Sequence, residues 1–78
     1  MSDELFERFR KTAADSLSKP VDEITLEASF ADDLDADSLD LVQMVMDLEE
    51  EFDITVEEEE LEGITTVSQA YELIKTKL

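Results

Sequence analysis

The four residues Asp37-Ser38-Leu39-Asp40 stand where a helical periodicity begins, and they hold the one hydroxyl whose placement invites chemistry. Asp37 is a good N-cap, with Asp40 three residues on in a capping-box-like place. Ser38 then takes the first helical position, with a hydroxyl that capping does not use. It would stand exposed at the positive end of a helix, where unpaired backbone N–H groups and the dipole favour an anion. A phosphate ester on Ser38 would be stabilised by position alone. The plainer alternative is that Ser38 is itself the N-cap and nothing more.

Two other constellations fail on their spacing. Asp33-Leu34-Asp35-Ala36-Asp37 has the alternating acids that open an EF-hand loop. Such a loop needs glycine at its sixth place and a bidentate glutamate at its twelfth. Those places hold Ser38 and Met44, so only weak divalent binding by the acidic cluster is expected, with no specific metal site. Paired carboxylates as general acid and base fare no better. Twenty-three acids make close pairs inevitable, and nothing supplies a pocket or an oriented nucleophile. The chain has no histidine and no cysteine, so the usual proton shuttle, the usual zinc ligand and thiol chemistry are missing. No catalytic residue is assigned, and the chain is expected not to be an enzyme.

Seventy-eight residues make one small domain, and the formal net charge is −17 on a chain that is still 42% apolar. Nucleic acid is excluded as a partner, because phosphate binding needs a basic footprint. An anionic membrane surface would repel the chain in the same way. There is no apolar run long enough to span a bilayer and no signal-peptide stretch in MSDELFERFRK, so a cytoplasmic location is expected. The partners should be basic. All six bases lie toward the ends, while eighteen acids fall between Asp22 and Glu62. That asymmetry points to where a partner docks. Disorder is the other risk of such charge, but the apolar residues recur at helical spacing, so a folded domain of thin margin is expected.

The elements that must position Ser38 are helices. One glycine and one proline are poor punctuation for a β protein. The spacing predicts a first helix over Asp3 to Leu17, with Leu5, Phe6, Phe9, Ala13 and Leu17 on one face and a stop before Ser18-Lys19-Pro20. A loop of about twenty residues follows, anchored by Val21, Ile24, Leu26, Phe30 and Leu34. A second helix runs from Asp37-Ser38 to Glu51 or Phe52. Then come Ile54-Thr55-Val56 and a short helix within Glu57 to Glu62, stopped by Gly63. The last helix has Thr66 as N-cap, Gln69 as capping-box partner, and Val67, Ala70, Tyr71, Ile74 and Leu78 as its buried stripe.

The second helix carries more apolar surface than one core needs. At about 100° per residue, Leu41, Met44, Val45, Leu48 and Phe52 form the stripe of an ordinary core-facing helix. Leu39, Val42 and Met46 cluster on nearly the opposite side, flanked by Gln43, Glu49, Glu50 and Asp53. A helix buried on both faces is one explanation, although carboxylates rarely sit fully buried unpaired. An exposed apolar strip with an acidic rim, the make-up of a docking surface, is the sharper one. The acids would steer a basic partner and the apolar residues would supply the desolvated contact.

Phe30-Ala-Asp-Asp-Leu-Asp-Ala-Asp-Ser-Leu-Asp-Leu-Val, continuing through Met46-Asp-Leu-Glu-Glu-Glu-Phe-Asp-Ile54 and Ile64-Thr-Thr-Val67, resembles the acyl carrier proteins over essentially the whole chain. The resemblance implies a single carrier domain over residues 1–78, all-α, with three main helices and one short one, a four-helix bundle in small. It implies that Ser38 carries 4′-phosphopantetheine, derived from coenzyme A, whose thiol holds acyl groups as thioesters. It further implies docking of a phosphopantetheinyl transferase and acyl-pathway enzymes on Asp37, Leu39, Asp40, Val42, Met46, Glu49 and Glu50. Acyl chains would lie against Phe30, Val45, Leu48, Val56, Leu61, Ile64 and Ala70. A monomer in type II fatty acid synthesis is the expectation. The alternatives are a polyketide, peptide or other specialised pathway, or an acidic interaction module without a prosthetic group. Two positions depart from the family pattern: Asp35, where glycine is common, and Gln43, where glutamate is common.

Overall fold

The computed structural model describes residues 3–78, and among them the architecture is all-helical. Three α-helices, α1 (Asp3–Leu17), α2 (Ser38–Phe52) and α3 (Val67–Lys77), alternate with two 3₁₀ turns, Val21–Glu23 and Glu58–Leu61. The short helix expected within the glutamate run is one tight 3₁₀ turn, so the fold is the expected three main helices with a short fourth element. A second such turn sits unannounced in the first loop.

Each helix ends for a local reason. At the end of α1, Ser18 turns left-handed (φ 58°) and the Lys19 N–H donates to Ala14 O at 3.0 Å. This closes the helix just ahead of proline, which cannot continue it. Asp53 caps α2 in the left-handed conformation, and its N–H donates to Glu49 O. Capping boxes open both α2 (Asp37 with Asp40) and α3 (Thr66 with Gln69), at the expected residues.

The three helices share one core. Phe9 and Ala13 of α1, Met44 and Leu48 of α2, and Val67 and Ile74 of α3 are fully covered, together with Ile24 and Leu34 from the loop. Phe6, Phe9 and Tyr71 join α1 to α3, with Phe6 and Tyr71 edge-to-face at 4.9 Å. Arg8 clamps α1 to the end of α2: its guanidinium meets the Glu51 carboxylate at 3.0 Å, donates to Glu51 O, and lies 4.6 Å from the centre of the Phe52 ring.

The long loop between α1 and α2 is packed rather than slack, although not by all of its apolar residues. Ile24, Phe30 and Leu34 are buried as expected, whereas Val21 and Leu26 are exposed. These two anchor the loop through backbone instead. Val21 O accepts from Arg10 Nη2 and from Ile24 N, and Leu26 O accepts from Ser68 N. A single bridge pairs Ser29 with Thr66, and Phe30 N donates to Thr65 O at 3.0 Å. The loop is thereby stitched to the start of α3. Leu78 also departs from its expected place: α3 ends at Lys77, so Leu78 leaves the helical register and is 61% exposed.

Candidate functional site

Asp37 adopts an extended backbone (φ −93°, ψ −172°), and its Oδ1 accepts the Asp40 N–H at 3.0 Å. Asp40 Oδ2 returns the bond to the Asp37 N–H at 3.3 Å. This settles the alternative left open by the sequence: the aspartate is the cap, and Ser38 is the first residue of the helix. Its side chain is exposed and takes no part in capping.

The cap leaves two donors unspent. Asp40 N is taken by Asp37 and Leu41 N by Asp37 O, whereas the N–H groups of Ser38 and Leu39 have no protein acceptor among the described residues. Orphan donors at a helix start are what attract an anion, a preference typically worth about 0.3–1 kcal/mol near the surface. The hydroxyl of Ser38 is therefore presented at a terminus that still has hydrogen-bonding capacity. Among the described residues no side chain hydrogen-bonds to the Ser38 hydroxyl.

The backbone before the cap is shaped to present this end. Ser29 N donates to Asp33 Oδ2 at 2.7 Å, Leu34 N to Ser29 O at 3.1 Å, and Ala36 N to Phe30 O at 2.7 Å. These bonds fold the segment tightly back on itself. Asp35 completes the turn with φ 54°, a left-handed conformation that aspartate tolerates better than most side chains.

Beside Ser38 a cleft of about 840 Å³ opens between α2, the Ser29–Asp37 segment and the Glu58–Leu61 turn. Ser38, Leu41 and Val42 line it from α2, Phe30 from the loop, and Leu61 and Ile64 from the far side. Its floor is apolar and one rim is acidic, with Glu58, Glu59 and Glu62 on it.

On the outer face of α2, Leu39 is 79% and Met46 51% exposed, while Val42 is half-buried because it also faces the cleft. The second apolar strip is thus on the surface, and the helix is not buried on both sides. Asp37, Asp40 and Glu50 are exposed around it. Glu49 is different: it is half-buried, and its Oε2 accepts the Val56 N–H at 2.7 Å, tying the chain after α2 back onto that helix.

Comparison with known proteins decides what this arrangement belongs to. Residues 7–74 match the family described as phosphopantetheine attachment site. An acyl carrier protein of Petrotoga mobilis is 55% identical over 76 residues, covering 97% of this chain and 89% of the relative. One from an Exiguobacterium species is 52% identical over 69 residues, covering 88% and 87%. The chain belongs to the acyl carrier proteins.

As an acyl carrier protein it is a carrier and not a catalyst, working through covalently attached 4′-phosphopantetheine. The α2 terminus fits such a group: an exposed hydroxyl to esterify, two unspent N–H groups for the phosphate, and an apolar cleft alongside. Of the seven residues expected around an acyl chain, Phe30, Leu61 and Ile64 line the cleft. Val45, Leu48 and Ala70 lie in the core behind it, and Val56 packs half-buried against that core. Leu41, expected only in the core stripe, reaches the cleft. Its position was readable: Leu41 and Val42 lie three and four residues beyond Ser38, hence on the same helical face.

Proposed function

We propose that Ser38 is the attachment residue and that the carried chains belong to type II fatty acid synthesis. The observation that carries this reading is the unfinished start of α2, an exposed first-turn hydroxyl beside two N–H groups that no described residue satisfies. The hydroxyl oxygen would lose its proton and displace adenosine 3′,5′-bisphosphate from the pyrophosphate of coenzyme A, and the free Ser38 and Leu39 N–H groups would orient the resulting phosphodiester anion. When bound, the group supplies a terminal thiol that holds acyl chains as thioesters, which explains how a chain without cysteine can do this chemistry. Phe30, Leu41, Val42, Leu61 and Ile64 then offer a hydrocarbon surface beside the attachment point. Such a wall suits a saturated chain better than a polar peptidyl or polyketide cargo, whose carbonyls would be stripped of water without partners.

The proposed docking face is Leu39, Val42 and Met46, with Asp37, Asp40 and Glu50 as its acidic rim. Basic patches on a phosphopantetheinyl transferase and on synthase enzymes would be steered by the rim and held by the apolar residues. Glu49 contributes indirectly, by fixing the chain after α2. The protein acts as a cytoplasmic monomer in this reading, with residues 1–78 forming one carrier domain.

Incubation with coenzyme A and a phosphopantetheinyl transferase, followed by intact mass, tests the attachment. One phosphopantetheine mass is expected on the wild type and none on Ser38→Ala. An equal gain on both would place the ester elsewhere. For docking, Met46→Ala combined with Glu50→Lys is expected to weaken transferase binding at least tenfold, the equivalent of about 1.4 kcal/mol, with unchanged helicity. Unchanged binding would remove this face from the docking surface.

A further inference from the structure

The far wall of the cleft is held differently from the rest of the molecule. The Glu58–Leu61 turn has no fully buried residue, and Leu61 is only half-covered where it leans on the core. Four consecutive glutamates, Glu57 to Glu60, repel one another along it. Two ties hold the segment to the bundle. Val56 N binds Glu49 of α2, and the Glu60 carboxylate meets Lys77 Nζ of α3 at 2.9 Å, with both partners largely covered. Among the described residues this is the only ion pair that reaches the turn. Glu60 also accepts the Glu57 N–H at 2.9 Å, so one carboxylate both shapes the turn and fastens it to α3. These contacts, the Lys77 bond first and the Glu57 N–H second, hold the Glu60 carboxyl below its usual pKa.

The opposite wall has no comparable weak point. It is stitched by the Ser29–Thr66 bridge and anchored by buried Phe30 and Leu34. The glutamate turn is therefore the more weakly tied of these two walls. Gly63, which follows it, has no neighbour within 4 Å of where a Cβ would stand, so no packing at that residue holds the segment's end.

We infer that the Lys77–Glu60 ion pair is a latch that sets how far the glutamate turn can move from α3, and so fixes the longest acyl chain the cleft shields. Lys77 is a specificity-determining residue in this scheme, although it does not line the cleft. The length-setting part rests on the carrier reading above, whereas the latch itself does not.

Two variants test it. Lys77→Gln removes the cation and leaves the turn's own bonds intact, and Glu60→Gln removes the charge but keeps an oxygen to accept the Glu57 N–H. In unloaded protein, amide exchange over residues 57–62 is expected to rise about two- to fivefold in both, the range a partly exposed ion pair carries, with exchange over 26–36 unchanged. After loading with hexanoyl to tetradecanoyl groups, hydroxylamine cleavage of the longest thioesters is expected to slow at least twofold in both variants, with hexanoyl unaffected. Unchanged exchange at 57–62 would overturn the latch. Raised exchange with the same cleavage profile would overturn its role in chain length. Failure of the carrier reading shows separately, as wild-type protein that gains no mass at Ser38, and would take the length-setting role with it.

Discussion

The first residues of α2 and α3, Ser38 and Val67, occupy the same position in helices opened by the same device. Each follows a residue whose side chain accepts from the third helical N–H, and each box is closed by the reciprocal bond. They differ in what happens to the remaining donors. At α3 the Val67 N–H goes to Ala28 O and the Ser68 N–H to Leu26 O, and Val67 itself is 0% exposed. At α2 the equivalent N–H groups of Ser38 and Leu39 have no such acceptors, and both side chains face solvent. One helix end is consumed by the fold, while the other is left with capacity to spare. A capping box therefore does not by itself mark a site; the spare donors do.

The largest effect that sharpens this contrast comes from truncating the two first-turn residues. Val67→Ala removes fully buried methyl groups and is expected to cost about 1.5–3 kcal/mol, read as a lower denaturant midpoint at unchanged slope. Ser38→Ala is expected to stay within about 0.5 kcal/mol of wild type while losing all phosphopantetheine loading. A destabilised Ser38→Ala would mean that the α2 start is structural after all, and the contrast between the helices would collapse.

Removing the caps themselves should produce a smaller and still unequal pair of losses. Thr66→Ala is expected near the upper part of the usual ~0.5–2 kcal/mol range and Asp37→Ala near the lower part. The reason is accessibility. Around α2, water can replace the aspartate, whereas the α3 start carries the loop as well. Gln69 Oε1 alone accepts from Thr65 N at 2.6 Å and Thr66 N at 3.0 Å, and Phe30 hangs from Thr65 O. Equal losses in melting experiments would argue that the loop bonds add nothing to the α3 cap.

Much of this contrast was legible in the sequence. The bounds of α1, the capping pairs at α2 and α3, and both faces of α2 followed from spacing, because helical periodicity over three or more turns is a strong local signal. The left-handed Asp35 stands at a position where the resembled family commonly has glycine, which fits the conformation found. The backbone-mediated contacts were not legible. Nothing about Val21 or Leu26 distinguishes a buried anchor from a residue whose carbonyl does the anchoring, and the partners, Arg10 and Ser68, are distant in sequence. Glu49 reads as a docking acid because nothing in the sequence shows that its carboxylate turns toward Val56. The Glu60–Lys77 pair spans two elements whose relative placement only the fold supplies. Leu78 failed for the opposite reason: a correct period was extended one residue past the end of the helix.

The smallest expected effect concerns charge, and it separates the same two helices by a different property. The two bases in the last turn of α3, Lys75 and Lys77, pair with Glu72 and Glu60, whereas α2 and its flanks carry acids alone from Asp22 to Glu62. Self-repulsion in that middle region opposes folding, and the Debye length falls from about 10 Å at 0.1 M salt to about 3 Å at 1 M. Raising sodium chloride across that range should therefore increase the melting temperature by roughly 4–8 °C, what about 1 kcal/mol produces in a domain of this size. The few ion pairs act against the gain, since the same salt weakens the exposed Arg8–Glu51 pair and the partly covered Lys77–Glu60 pair, but surface pairs contribute little each. The sign of the shift decides which population dominates. A rise means that the eighteen acids around Ser38 are held together at a standing cost, as expected of charge kept for a partner. A fall would mean that the ion pairs among the described residues outweigh the field, and that the acidic middle is no burden on the fold.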